Sequence, residues 1–234
     1  MLVLGIETST PQTSVALGSE TGVVAASLLA TGPASHELVV SEVARALDRA
    51  GMPRSALTAV SVGLGPGLFT GMRVGVAAAK AMAQGLGVPI VGFASLDLIA
   101  FSVRYCRRLI CVAVDGKRKE LFFAFYRPVP GGVTRTTEFE AAGPGRLVAE
   151  LIARLEDILL VGNGTLVYRR ELEEAGKHVE IASAAFGFPS ATTLVELAIP
   201  RLQREDFDRL YDLRPNYVRK SDAEIAWDSR RRAD

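Results

Sequence analysis

Apolar and polar positions along the chain change their spacing in a regular order. Short apolar runs bounded by turn formers come first: LVLGIE, then SVALG after TSTPQT, then GVVAASLLA after Thr21-Gly22. These predict a strand, a tight turn and two further strands. From His36 the period becomes helical. Val39, Val40, Val43, Ala46, Leu47 and Ala50 gather on one face, while Glu37, Ser41, Glu42, Arg45, Asp48 and Arg49 take the other. The spacing predicts a helix over 36–50, with Ser35 as its N-cap. TAVSVG then reads as a strand, TGMRVGVAAAKAMAQGLG as a helix over about 70–86 stopped by Gly85 and Gly87, VPIVGF as a strand, and 95–104 as a helix.

Around Arg104 to Arg108 the pattern starts again, with LICVAVD, KELFFAFYR and GVTRTTEFE as strands. After them come a helix over about 145–155, the strand ILLVG, a turn at Asn163-Gly164, a helix over 166–175, the strand HVEIA and a helix ATTLVELAIPRLQRE that contains Pro200. Two rounds of the same order predict an α/β protein of two similar lobes. The expected division is 1–105 and 106–211, with about 212–234 extended and packing back on the first lobe.

Composition narrows the function. The chain has 234 residues, enough for two lobes of about 100 each. Its formal charge of +1 argues against a protein that wraps nucleic acid unaided, because that needs a strongly basic face. The start MLVLGI meets Glu7 too early for a signal peptide, and even the apolar run Val74 to Ala83 carries Lys80, so a cytoplasmic protein without a membrane span is expected. Cys106 and Cys111 lack the spacing of zinc or redox pairs and read as buried apolar thiols. The two histidines, His36 and His178, are far apart in sequence and form no metal-binding pair, so both read as structural and no metal site is expected. No G-x-S-x-G elbow is present, and no catalytic residue is assigned.

Two stretches could hold a phosphate. GIETSTPQTSVALG places Glu7, Thr8, Ser9 and Thr13 at a hairpin tip, where hydroxyls and amides suit an anion and a carboxylate suits a metal or a water. GLGPGLFTGMRVG brings Gly65, Gly67 and Thr70 to the start of a helix, whose free amides favour an anion. It is neither a Walker A loop nor G-x-G-x-x-G. The plain reading of each is a polar hairpin and a tight strand-to-helix turn. For the second we prefer the turn, which lets the helix approach a neighbour closely. In the second half, VAVDGKRKELFFAFY repeats the hairpin shape with Lys117, Arg118 and Lys119 in place of glycines, and Gly162-Asn163-Gly164 reads as a turn, in a place where some nucleotide-binding folds seat adenine.

The helix after the glycines is apolar almost all round. Gly71, Gly75, Ala79 and Ala83 form a smooth ridge, and Arg73, Ala77, Lys80 and Gln84 form the polar stripe. Such a helix is buried on more than one side. The sheet covers one side; a second chain or the second lobe covers what remains.

The order LGIETSTPQTSVAL, SHELVVSEVARAL, SVGLGPGLFTGMRVGVAAAKAMAQGLGVPIVGFASLDLIA and LRPNYVRKSDAE resembles the bacterial TsaB family, also called YeaZ. The resemblance is dense over 1–101 and returns near 214–224. It implies a two-lobed fold of the actin, sugar-kinase and Hsp70 type with a reduced second lobe. It further implies a non-catalytic subunit that pairs with a TsaD-type catalytic paralogue, joined by a TsaE-type ATPase, to make threonylcarbamoyladenosine beside the anticodon of tRNA. ATP or ADP would then belong to the complex, tRNA would be met through it, and the free protein would form a homodimer. The resemblance places the partner interface on the two first-lobe helices, at His36, Val39, Val40, Val43 and Leu47 on one. On the other it falls at Gly71, Arg73, Gly75, Val76, Ala79, Lys80, Met82 and Ala83. The segment after FASLDLIA lacks the paired histidines of the catalytic paralogue, and Glu7 stands where an Asp is usual. A small-molecule kinase of the same fold is the alternative. It would need a second phosphate loop, which the sequence does not offer. A metallopeptidase reading fails on the histidine count.

Overall fold

The computed structural model describes residues 1–30 and 35–219. The first sheet is built from β1 (Val3–Glu7), β2 (Thr13–Ser19), β3 (Gly22–Leu29), β4 (Ala59–Gly63) and β5 (Ile90–Phe93), in the order β3-β2-β1-β4-β5. β1 runs antiparallel to β2 and parallel to β4. The second sheet contains β6 (Leu109–Lys117), β7 (Glu120–Val129), β8 (Gly132–Arg135), β10 (Ile158–Val161) and β11 (Val179–Ile181), in the order β11-β10-β6-β7-β8, with β9 (Glu140–Ala142) paired to β7. Read from β8, the second order repeats the first. Each sheet is a three-strand meander extended by two parallel strands, which is what alternating crossover helices dictate.

The helices are α1 (Val39–Arg49), α2 (Phe69–Leu86), α3 (Ser95–Ser102), α4 (Pro144–Ala153), α5 (Gly164–Val167), α6 (Arg169–Glu173) and α7 (Ala191–Gln203). α1 begins three residues after the predicted start at 36, at the first residue of its apolar face. A 3-10 turn over Ser35–Leu38 precedes it, so Leu38 and not Ser35 holds the N-cap position. α2 runs through Gly85 and ends at Gly87, whose φ of 66° lets its amide reach the carbonyls of Ala83 and Gln84. In the second half the predicted helix over 166–175 is two short pieces, α5 and α6, in the place that α2 takes in the first. Pro200 lies inside α7 without ending it.

Chain order does not sort the helices by sheet. α3, inside the expected first lobe, buries Leu96, Ile99 and Ala100 among Ile110, Val112 and Phe122 of the second sheet. α7, inside the expected second lobe, buries Ala191, Leu194, Val195 and Ala198 against Val3, Ala16 and Ala59 of the first. Apolar periodicity gives a helix its buried face but not the sheet that receives it. The other face of the first sheet packs on α1 and α2 through Leu4, Ile6, Val15, Val60 and Val62. Residues beyond α7 return to this core: Leu213 is buried in it, Asn216 N donates to Leu64 O at 2.7 Å, and Lys80 Nζ donates to Leu213 O at 3.2 Å. Residues 220–234, part of the predicted extended tail, lie outside the described residues.

Candidate functional site

β1 ends on Glu7, and the turn that follows is sealed. Glu7, Thr8, Ser9, Thr10 and Thr13 are all buried. Glu7 Oε1 accepts from Ser9 N at 2.6 Å, and Oε2 accepts from Ser95 Oγ at 2.8 Å. Ser95 Oγ in turn accepts from Gly65 N at 3.0 Å, and Ser95 N donates to Gly65 O at 2.7 Å. One carboxylate thus joins the hairpin tip, the glycine loop and the first turn of α3. Complete burial pushes its pKa above the ordinary value of 4.5, against the hydrogen bonds that favour its charge.

The glycines fit this tip. Gly63, Gly67, Gly71 and Gly75 recur every four residues. A Cβ at Gly63 would overlap the Glu7 carboxylate, one at Gly67 the Ser9 carbonyl, one at Gly71 the Thr8 carbonyl oxygen, and one at Gly75 Thr8 Oγ1. Leu68 N donates to Ser9 O at 2.6 Å and Thr8 Oγ1 to Gly71 O at 2.7 Å. The stretch that opened as a phosphate candidate is therefore a seat for the chain's own hairpin. It brings Glu7, Thr8 and Ser9 against Gly65 and Gly67, while Thr13 lies within β2, and Thr70 is exposed on the first turn of α2.

Several of the residues expected at an interface on the two helices are buried within the chain itself. Gly71, Gly75, Ala79 and Ala83 are buried against the hairpin and sheet of the same chain, as is Val76. Val39, Val43 and Leu47 of α1 lie in the same core. The small ridge does signal a close approach, but the approaching element is internal. Of the expected interface residues, Val40 at 62% exposure and Arg73 face outward, and Lys80 and Met82 are half-buried. The His36 side chain lies outside the described residues. The apolar residues that α2 leaves open are Ala77 and Ala81, with Val74 half-buried, while Ala78 and Met82 are half-buried and pack on the core. At the N-terminal end of α2 the Arg73 guanidinium lies 3.7 Å from the Phe69 ring centre, and Arg73 Nε donates to Tyr217 Oη at 2.9 Å.

The second hairpin repeats the device. Asp115 ends the apolar part of β6, and its Oδ1 accepts from Lys117 N, two residues on, at 2.9 Å, as Glu7 does from Ser9. Its Oδ2 holds Lys117 Nζ at 2.6 Å. Asp115 N donates to Asn163 Oδ1 at 3.1 Å, so the Gly162-Asn163-Gly164 turn fastens β10 to β6. Ser95, Asp115 and Asn163 were missed as partners of the two tips. A signal for Asp115 was present, since each hairpin has an acid closing an apolar strand. His178 pairs its Nε2 with Leu151 O at 3.1 Å, and Cys111 is wholly buried, which pushes its thiol pKa up. Among the described residues no three His, Cys, Asp or Glu side chains come together in an arrangement able to hold a metal ion. Nor is any helix there long and apolar enough to cross a membrane.

Comparison with known proteins gives the family and the fold. The family model of TsaD, tRNA N6-adenosine threonylcarbamoyltransferase, matches residues 31–227. A Bacillus subtilis protein named tRNA threonylcarbamoyladenosine biosynthesis protein TsaB is 27% identical over 97% of this chain and 98% of its own length. The chain belongs to the TsaD family, among its TsaB/YeaZ members. The Escherichia coli protein named TsaB is 26% identical, over 97% of each chain. A Pseudomonas aeruginosa crystal structure described as similar to peptidase YeaZ superposes with a TM-score of 0.78 at 24% identity, covering 93% of this chain and 99% of its own. The two-lobed α/β architecture expected from the sequence is thus the YeaZ architecture. The paired sheets and the exchange of α3 and α7 between them describe one such TsaB/YeaZ chain at residue level. The names of the two TsaB relatives connect those proteins with threonylcarbamoyladenosine biosynthesis on tRNA.

Proposed function

We propose that this chain is a non-catalytic subunit of a threonylcarbamoyl-transfer assembly, pairing with a TsaD-type catalytic subunit in the cytoplasm and joined by a TsaE-type ATPase. The observation that carries the reading is the end-to-end likeness to two proteins named TsaB. The two hairpin tips support it. Each directs its own carboxylate onto the amide two residues on, where a nucleotide-using enzyme of this kind presents amides to phosphate. Such chemistry instead needs a carboxylate facing substrate, and Glu7 is wholly buried and engaged at both oxygens. Glu7 is therefore not placed to serve as the acid of the kinase alternative.

The partner surface in this reading is the outward strip of α2 at Val74, Ala77 and Ala81, together with the exposed Val40 and Ala44 of α1. It replaces the ridge that the hairpin covers. Alone, the same strip pairs two copies of the chain, and the TsaD-type subunit displaces one of them. Calorimetric titration with the TsaD-type subunit of the same genome tests this. Wild type binds, and Ala77→Arg/Ala81→Arg loses at least tenfold in affinity without a lower melting temperature, since both positions are exposed and Arg is a good helix former. Equal affinities would move the interface elsewhere. Tight binding of ATP by the isolated chain would favour the kinase.

A further inference from the structure

The segment that follows α7 touches both halves of the molecule. In the first half it is anchored: Leu213 is buried in the core of the first sheet, Lys80 Nζ donates to its carbonyl, and Asn216 N donates to Leu64 O. Tyr217 meets the Phe69 ring at 5.2 Å and accepts from Arg73 Nε. Two residues further on the chain has reached the second half. Val218 packs on the cluster that holds α3 against the second sheet, and Arg219 donates to Glu120 Oε2 and lies 6.0 Å from the Phe122 ring centre. Glu120 faces Lys117 across the tip of the second hairpin, while Leu64 opens the glycine loop that seats the first. The segment therefore straps one hairpin tip to the other.

The strap is short. Asn216 and Arg219 are three residues apart, a reach of at most about 10 Å. The halves cannot part widely at this edge with both ends of the strap attached. Two amides cross the same joint between the glycine loop and α3: Ser95 N donates to Gly65 O at 2.7 Å, and Gly65 N to Ser95 Oγ at 3.0 Å. The two ends of the strap are held unequally. The first-half end has a buried leucine, two hydrogen-bonded backbone groups and an aromatic contact. The second-half end has a half-buried valine and one ion pair, whose Arg219 and Glu120 side chains are 22% and 35% exposed. An ion pair so open to water is a weak tie. Halves of a chain that share few strong contacts move against each other by default, so the weak end governs the joint.

We propose that residues 213–219 form a clasp between the two halves, with Arg219 as its release. The crevice between the hairpin tips opens when Arg219 leaves Glu120, while Leu213 and Asn216 stay bound. This rests on the geometry alone and stands whatever partners the chain has. Hydrogen exchange of the full chain, read amide by amide by nuclear magnetic resonance, tests it with Arg219→Glu, which turns the attraction into a repulsion. The Gly65 and Ser95 amides quicken about fivefold, the share of a partly exposed ion pair, and the Asn216 amide keeps its protection. The melting temperature stays within about 4 °C of wild type. The exchanged pair Glu120→Lys/Arg219→Glu restores the attraction and returns both amides to the wild-type rate, which a variant that merely unsettled the fold would not do. Unchanged exchange at Gly65 and Ser95 in Arg219→Glu overturns the clasp. Equal quickening at Asn216 overturns the release point, because the strap then leaves as one piece. An exchanged pair that restores nothing shows that the charges do not hold the joint, and likewise overturns the proposal.

Discussion

Gly71→Ala tests the seating of the hairpin on α2. The added methyl brings the usual helical gain of Ala over Gly, about 0.5–1 kcal/mol. Against it stands the Thr8 carbonyl, whose oxygen the Cβ overlaps and whose carbon lies 3.2 Å away. Overpacking of this kind costs about 1–3 kcal/mol, and separating the elements also strains the Thr8–Gly71 hydrogen bond, a contribution of about 1 kcal/mol. Because the obstacle is backbone and not the end of a rotatable side chain, the upper part of that range applies. The net loss is about 2–3 kcal/mol, or roughly 5–10 °C in melting temperature for a chain of this size. Gly85→Ala in the same helix is the control. Nothing lies within 4 Å of its Cβ, so it keeps the helical gain and raises the midpoint by about 1–4 °C. Circular dichroism melts of the two variants beside wild type decide the matter. A Gly71→Ala protein that melts at or above wild type would refute the seating, and with it the claim that the small ridge is occupied internally.

Two further outcomes follow from the same geometry. Burial raises the Glu7 pKa, so the acid form favours folding: its contribution is fully present below the ordinary 4.5 and is lost as pH rises through the folded value. Urea unfolding should therefore show the stability of wild type, measured against Glu7→Gln, increasing as pH falls towards 4.5; a difference that is flat or opposite in sign contradicts the buried carboxylate. Tyr217→Ala removes the ring that meets Phe69 at 5.2 Å and accepts from Arg73, which together contribute about 1 kcal/mol locally. Hydrogen exchange at the Asn216 amide, bonded to Leu64 O, should quicken about fivefold with little change in global stability, and unchanged protection would show the return segment to be held by other contacts.

How much of this was legible in the sequence depends on distance along the chain. Local periodicity placed α1 and α2 and gave α1 its buried face, because Val39, Val43, Ala46 and Leu47 share one side of a helix whatever covers them. The same pattern could not say who covers Gly71 and Gly75, since the occupant, Thr8, is more than sixty residues away. Small residues announce a close approach without naming the visitor, and a partner chain was expected where the protein's own hairpin sits. The same limit applies to α3 and α7: their apolar faces were readable, but the sheets that receive them depend on how the two halves are joined. The tip at Lys117–Lys119 was hidden differently. Its left-handed backbone contradicts the residue preferences that predict turns.

The central claim is that the chain serves threonylcarbamoyladenosine formation through the outward strip of α2. Mass spectrometry of tRNA nucleosides tests it most directly, in cells depleted of the chain and rescued with wild type or with Ala77→Arg/Ala81→Arg. The account predicts that the nucleoside falls on depletion, that wild type restores it, and that the strip variant, equally abundant, does not. A nucleoside level that is untouched by depletion would contradict the function, and full rescue by the variant would contradict the surface.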